Sequence, residues 1–364
     1  MGWTRGSLAL LRMNAHRLVI VAAALTTMVA AALATALAGF SGQGLPHAVR
    51  QDLGGASGTS IVISGSVDTA QAAQYNAQLP GQISRALHGT PYTFYRARWS
   101  DPLGFVSGAK PAAPASTGNT LIAEAGALDG IVANATLVAG TWPGAPSAGQ
   151  PIPAALPASA AALLHVVTGE VLRLQDRISN RYDRFVVTGL YRPRQVSAPY
   201  WGLDNVALSG ASTVGGFTTF GPLTVQGSAF AGLLAQDQGS WLAQPQTASV
   251  PAGELTSVAG SVQLLQQAVQ NAQNLPSLAV STSLPSVLNG TASNLDVARS
   301  LLAICAVLIF LLAAAALLAV ARLLTGQREA EAAMLTARGA TRWQLLRLTT
   351  PELRHDATQS NFVQ

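Results

Sequence analysis

Two long stretches without a charged residue constrain this 364-residue chain more than any other feature. They are Leu18–Phe40 and Ser300–Ala321, and each exceeds the roughly 20 apolar residues that a membrane-crossing helix requires. At about 1.5 Å of rise per residue, either stretch would cross a hydrocarbon core of about 30 Å. The second is rich in Leu, Ile and Val, whereas the first contains more Ala and Thr, which favour insertion less. The sequence therefore predicts transmembrane helices at 18–40 and 299–322.

The first stretch has a second interpretation, a cleavable signal peptide. A basic segment precedes it, and Ala36–Ala38 resembles a small-residue cleavage site. However, the apolar stretch is longer than the roughly 7–15 residues of a typical signal-peptide core, which favours a retained helix. A mature amino terminus at Gly39 would indicate cleavage.

The arginines beside these stretches predict the orientation of the chain. Arg5, Arg12 and Arg17 precede the first stretch, and Arg322, Arg328, Arg338, Arg342 and Arg347 follow the second. Residues 41–298 are nearly neutral, with eleven basic and twelve acidic side chains. By the positive-inside rule, 1–17 and 323–348 are cytoplasmic and 41–298 lies outside the cell membrane. The net charge of +5 thus reflects topology and not nucleic-acid binding.

Composition agrees with a membrane class. Apolar residues make up 49% of the chain and charged residues only 10%, against about 25% charged in typical soluble proteins. The single cysteine, Cys305, excludes an internal disulfide framework. An external domain must therefore be stabilised by its own core.

Residues 41–298 mix helical and strand-like patterns, which predicts an α+β domain. We predict helices at 47–53, 69–78, 81–87, 157–164 and 257–273, strands at 60–64, 92–98, 170–174 and 184–193, and loops at 107–118 and 141–149. Asp68 is the expected amino-terminal cap of the 69–78 helix. Leu278–Leu288 is expected to be extended, and Asn294 is expected to open the helix that enters the second stretch.

The segment after the second stretch has a pattern of its own. Residues 328–337 are good helix formers, and Gly339 is suited to a left-handed helix end. Thr341 and Gln344 have the spacing of a capping box. We therefore predict two coupling helices within 323–348, broken at 338–340, followed by a polar tail at 349–364. The alternative is an anchor whose arginines bind anionic lipid, which explains the charges but not the capped break.

Residues 299–348, above all the pattern from Arg328 to Leu348, resemble the FtsX-like or MacB-like permease family of ABC transporters. Three external segments, 138–143, 156–174 and 185–193, resemble the family's periplasmic core domain. The resemblance implies two transmembrane α-helices flanking a large extracytoplasmic α+β domain of the MacB-like periplasmic core type. It also implies a cytosolic ABC ATPase partner that binds the ATP, so that this chain needs no cofactor of its own.

The same resemblance implies which residues meet the ATPase. They are Arg328, Glu329, Arg338, Gly339, Ala340, Thr341 and Arg342. Members of the family continue into further spans after this segment, whereas 349–364 is polar and too short to cross a membrane. The chain thus resembles the amino-terminal half of a permease. Its implied partners include membrane lipid and either a second permease copy or a missing carboxy-terminal half.

Patterns of catalysis are scarce in this sequence. A phosphate-binding G-x-x-x-x-G-K-[ST] loop is absent, and the five histidines stand singly, without metal-ligand spacing. Ser107 and Lys110 match S-x-x-K, but the accompanying S-D-N and K-T-G motifs are missing, so an exported serine hydrolase is the weakest alternative. The sequence predicts a protein that is not an enzyme, with no catalytic or metal site. The main alternative to a permease is a bitopic sensor or adhesion module whose external domain binds a ligand.

Overall fold

The structure is a computed structural model that describes residues 17–39, 44–55, 58–106, 119–204, 206–270 and 278–337. It contains two compact units. We call Pro46–Leu295 the globular unit. The other, the helical unit, contains the first described helix and the last helix from Asp296 onward.

The helices are α1 (Arg17–Gly39), α2 (Leu45–Gly55), α3 (Thr69–Ala86), α4 (Ile131–Asn134), α5 (Ala158–Leu164), α6 (Val206–Ser209), α7 (Leu255–Gln270) and α8 (Leu284–Ala337). The strands are β1 (Ile61–Ser66), β2 (Tyr92–Ser100), β3 (Leu103–Phe105), β4 (Thr120–Leu128), β5 (Ala135–Gly140), β6 (Ile152–Pro157), β7 (Val171–Asp176), β8 (Tyr182–Pro193), β9 (Ala211–Val214), β10 (Phe217–Thr224), β11 (Gln236–Pro245) and β12 (Ala279–Ser281). Short 3₁₀ turns lie at Pro199–Leu203, Gly227–Phe230 and Thr247–Ser249.

Four strands and two helices form a split βαβ module. The strand order is β12-β1-β11-β2, and each neighbouring pair is antiparallel, so β1 and β2 run parallel on either side of β11. Helix α3 connects β1 to β2, and α7 connects β11 to β12, which gives the ferredoxin-like order. The buried face of α3 recurs at helical spacing through Tyr75, Leu79 and Ile83.

Between β2 and β11 the chain inserts a closed ring of six strands. Following the pairings, the ring runs β4-β3-β7-β8-β6-β10, and the parallel pair β10 and β4 closes it. Its interior is filled by apolar side chains, among them Leu174, Phe185, Val187 and Phe220, which are almost completely buried. Closure removes free strand edges from the ring, and the pairing of β4 with β2 joins it to the split βαβ module. A second core lies around Tyr191, Tyr200 and Trp201.

Several predicted elements are confirmed. The predicted strands at 60–64, 92–98, 170–174 and 184–193 correspond to β1, β2, β7 and β8, and the helices at 47–53, 157–164 and 257–273 to α2, α5 and α7. Asp68 caps α3, with its Oδ1 accepting the Gln71 backbone N–H at 2.8 Å and the Gln71 side chain accepting the Asp68 N–H at 3.0 Å. Helix α7 buries an apolar stripe that includes Val258, Val262, Leu265 and Val269.

Two predictions about helix boundaries are wrong. The helices expected at 69–78 and 81–87 are one helix with Pro80 inside it. The last helix begins at Leu284, not at Asn294, so the stretch expected to be extended is partly helical. Residues 328–337, predicted as the first coupling helix, are helical and form the end of α8.

Burial of apolar side chains explains why α3 continues across Pro80 and why α8 begins as early as Leu284. Leu79 and Ile83 lie on either side of Pro80 and are almost fully buried, which offsets the roughly 3 kcal/mol that an internal proline costs a helix. In the same way Leu284, Leu288 and Leu295 recur at helical spacing and are buried in the globular unit.

Candidate functional site

Helix α8 presents an apolar surface on every side. Leu301, Val307, Phe310, Leu312 and Leu318 are all more than half exposed, although they point in different directions around the helix axis. A helix that is apolar all round is usually either a buried core helix or a membrane span. None of the most apolar 18-residue window of α8 is buried by the described residues.

Length and composition single out the same helix. Among the described residues, only Leu284–Arg322 is long and apolar enough to cross a membrane. Helix α1, Arg17–Gly39, covers residues 18–39 of the other predicted span in its backbone.

The predicted ATPase contact is only partly placed. Arg328 and Glu329 lie in the helical backbone near the end of α8. The other five residues of the contact, Arg338, Gly339, Ala340, Thr341 and Arg342, lie outside the described residues, as do Ser107 and Lys110. The predicted break at 338–340 is therefore still a prediction.

A groove of about 510 Å³ lies between α1 and α8 within the helical unit. Small residues line it on both helices: Ala30, Ala34 and Ala38 on α1, and Ala303, Ala306 and Ala313 on α8. Such residues allow helices in a bilayer to approach closely. Arg299 also lines the groove and lies 3.7 Å from the Asp296 carboxylate.

The globular unit contains two neighbouring buried carboxyl groups, those of Asp101 and Asp176. Burial, then the nearby Asp176 and Asp237 carboxylates, raise the pKa of Asp101. Burial also opposes ionisation of Asp176, but the Ser179 hydroxyl and the backbone N–H groups of Ser179 and Ile178 donate to it and lower its pKa. These bonds fix the turn between β7 and β8, which is a structural role.

Asp204 is the most perturbed carboxyl group in the globular unit. Its Oδ1 accepts the Val206 N–H at 2.8 Å, whereas Oδ2 is buried without a hydrogen-bond partner in the described part of the chain. Burial, with a smaller contribution from the charge of Glu124, raises its pKa to about 7. Nearby, Tyr191 is fully buried, which raises the pKa of its phenol, and its hydroxyl is 3.1 Å from Thr224 Oγ1. Nothing in the Leu203–Val206 sequence marks Asp204 as unusual, because distant residues create its environment.

Metal ligands do not assemble in the regions that the structure describes: no group of three His, Cys, Asp or Glu side chains could hold an ion there. His88 instead contacts Ser261 and Glu254, and His165 ends α5 in a left-handed conformation. Both histidines thus have structural roles.

Comparison with known proteins finds no matching family model and no matching curated protein. Among solved structures, the chain is similar to a domain from Porphyromonas gingivalis that is named as part of a putative permease protein. The similarity has 12% identity and a TM-score of 0.26, and covers 62% of this chain and 88% of that one. A likeness of this size carries no argument about function.

Proposed function

We propose that this chain is the permease subunit of an ABC transporter of the FtsX or MacB type. In this proposal, helices at 18–40 and 299–322 cross the cell membrane and flank an external α+β domain at 41–298. Residues 1–17 and 323–348 are cytoplasmic. ATP is bound by a separate ATPase subunit, and the chain performs no chemistry of its own.

One observation carries the proposal: the most apolar 18-residue window of α8 contains no buried residue in the described part of the protein. Leaving a leucine side chain in water forfeits about 1.5–3 kcal/mol relative to burial, and α8 exposes many such side chains. A lipid environment removes this cost. Because α8 follows the folded globular unit, its position is also unlike that of a signal peptide.

The continuity of α8 supports a coupling role. Its 54 residues correspond to about 80 Å of helix, and they include Leu288 and Leu295 of the globular core as well as Arg328 and Glu329 of the predicted contact. In the proposed mechanism, closure of the ATPase displaces residues 328–342. The helix then transmits this displacement to the external domain, for export, for handling of lipid or lipoprotein, or for activation of an external partner.

The proposed partners follow from the same arrangement. A cytosolic ABC ATPase would contact 328–342, and lipid would surround the exposed side chains of α8. A second permease copy would supply further spans. No nucleic acid is involved.

Cysteine accessibility tests the topology. Cys305 is the only cysteine, so Cys305→Ser provides a background for single-cysteine variants. We expect a membrane-impermeant maleimide to label Val214→Cys on intact cells, because Val214 is exposed in the globular unit. Gln327→Cys should react only after permeabilisation. The opposite pattern would overturn the orientation, and recovery of the chain in the soluble fraction would overturn the membrane assignment.

Co-purification in the same cells tests the coupling contact. We expect wild-type protein to retain a cytosolic ATPase and Gly339→Pro to lose it, because proline changes the backbone within the predicted contact. Gly144→Pro is the matched control, since Gly144 lies in a loop of the globular unit with open space around its Cα. If no ATPase is recovered with either the wild-type protein or the control, the sensor or adhesion alternative is favoured.

A further inference from the structure

An open groove of about 470 Å³ lies between α3 and α7, on the helical side of the split βαβ module. Its volume falls within the range of about 300–1,000 Å³ that is typical of small-molecule sites. It is lined by Tyr75, Gln78, Leu79, Gln82, Arg85 and Ala86 from the first helix, and by Ser261, Leu264, Leu265, Ala268, Val269 and Leu278 from the second helix and the residues after it.

The floor of the groove is apolar and its edge is incompletely covered. Leu79, Leu265 and Val269 are buried, whereas Leu264 at the edge is 66% exposed. Covering such a leucine removes apolar surface from water, which favours binding of an apolar ligand. The groove therefore favours a ligand with a hydrocarbon portion.

The two ends of the groove differ in polarity. Helices α3 and α7 run antiparallel, as the split βαβ order requires, and a 2.9 Å hydrogen bond joins His88, just after α3, to Ser261 in the first half of α7. Arg85 and Ser261 consequently lie at one end, and Tyr75 and Val269 lie toward the other. A ligand that fits both ends is amphipathic along its length.

The polar end carries an uncompensated positive charge. Arg85 Nε donates to the Gly81 carbonyl at 3.2 Å, and no carboxylate of a described residue lies within ion-pair distance of its guanidinium. Among the described residues, no Asp or Glu lines the groove. Glu254, the acid just before α7, lies 3.7 Å from His88. The charge of the groove is thus complementary to an anionic head group.

We infer that this groove binds a single-chain anionic amphiphile of the fatty-acid class, with its chain on Leu79, Leu265 and Val269 and its carboxylate at Arg85. A single hydrocarbon chain suits the volume of this open groove. An amphipathic helix of 12 residues, about 10 Å wide and 18 Å long, occupies on the order of 1,400 Å³, several times the volume of the groove. This ligand site does not depend on the proposed coupling role.

The test uses the full chain in phosphatidylcholine vesicles that contain a fatty acid with a photoreactive diazirine in its chain. After illumination, mass spectrometry locates the adducts. We expect adducts on peptides from 69–86 and 255–270. Arg85→Glu and Leu264→Gln should each reduce this labelling about tenfold, the effect expected for loss of a charge-assisted contact or of a buried leucine. Both residues are exposed, so the variants should fold normally.

Matched controls and a second readout make the result decisive. Arg192→Glu is the control for Arg85→Glu, and Val214→Gln is the control for Leu264→Gln. Both controls change exposed residues elsewhere in the globular unit and should leave labelling unchanged. The site is refuted if both groove peptides stay unlabelled, if both groove variants keep wild-type labelling, or if a diazirine amine of equal chain length labels the groove equally well. Adducts within 300–322 report separately on the exposure of α8 to lipid. The membrane proposal and the groove assignment can therefore fail independently of each other.

Discussion

Asp204 is a carboxyl group whose burial decides how it titrates, and among the described residues only its Oδ1 accepts a hydrogen bond. Its side chain is 7% exposed, and its pKa is about 7 in the folded protein, compared with about 3.9 in an unfolded chain. Between these values the folded state holds a proton that the unfolded state has lost. This group therefore stabilises the fold fully below about pH 4, and the contribution is lost as the pH rises through about 7.

We predict that Asp204→Asn removes this pH dependence. The amide keeps an oxygen for the Val206 N–H but cannot ionise, so it avoids burying a charge. Thermal unfolding at pH 5 and pH 8 should show a smaller loss of stability for the variant than for wild type, by about 3 kcal/mol, because about two of the three pKa units of the shift lie between pH 5 and pH 7. Glu170→Gln, an exposed carboxyl that accepts the Val167 N–H, is the control and should keep the wild-type dependence. Equal pH profiles for Asp204→Asn and wild type would contradict the assignment.

Some elements could be predicted from short sequence patterns, because the residues that stabilise them are close together in the sequence. The cap of α3 is an example, since Asp68 and Gln71 satisfy each other's backbone N–H groups within one turn. The course of the helix across Pro80 was not predictable in this way. It depends on Leu79 and Ile83 packing into the core, and on Asn76, which accepts the Trp241 indole N–H at 2.7 Å.

The start of α8 was missed although the sequence contains a signal for it. Pro285 occupies the first turn of the helix, where a missing N–H costs nothing, and Ser283 precedes it. The Ser283 carbonyl accepts the Val287 N–H at 3.1 Å. The β-branched and serine-rich stretch before this point favoured an extended interpretation, and only the short strand β12 bears it out.

At the level of elements, we predict that Asp68→Ala destabilises the globular unit by about 1 kcal/mol. Alanine cannot accept the Gln71 N–H, which would leave a donor of the first turn without its partner. Urea unfolding followed by tryptophan fluorescence should show a lower midpoint with an unchanged slope. Asp68→Asn is the control, because asparagine also caps helices and should retain most of the stability. A full loss with asparagine would indicate that the charge, and not the cap, matters.

The architecture of the whole molecule was the least predictable level. Strands β2 and β11 pair along nearly their full lengths, for example Ala97 with Ser240, although the whole six-stranded ring lies between them in sequence. The alternating patterns of 92–98 and 184–193 identify strands but contain no information about partners, since partner choice depends on contacts distant in sequence. The candidate contact at 328–342 could be proposed from the sequence because its residues form one local pattern. The ligand groove could not be predicted in this way, because two helices that are far apart in sequence form it.

Chain segments next to the predicted spans complete the core of the globular unit. Val49 and Leu53 of α2, with Leu284, Leu288 and Leu295 of α8, are buried there. Two hydrogen bonds add to this packing: Thr291 Oγ1 donates to the Asp52 carboxylate at 3.3 Å, and Thr247 Oγ1 donates to the Leu53 carbonyl at 2.7 Å. The boundaries of the folding unit therefore lie outside the strands of the sheet.

We predict that a fragment of residues 44–298 folds alone, whereas a fragment of residues 58–281 does not. The shorter fragment keeps every strand but loses five buried aliphatic side chains, each contributing about 1.5–3 kcal/mol, or roughly 10 kcal/mol together. Domains of this kind are stable by only about 5–15 kcal/mol, so the loss removes most or all of the stability. Circular dichroism melting should show a cooperative transition only for the longer fragment. A cooperative transition of similar midpoint in both would mean that the buried ends of α2 and α8 do not stabilise the globular unit.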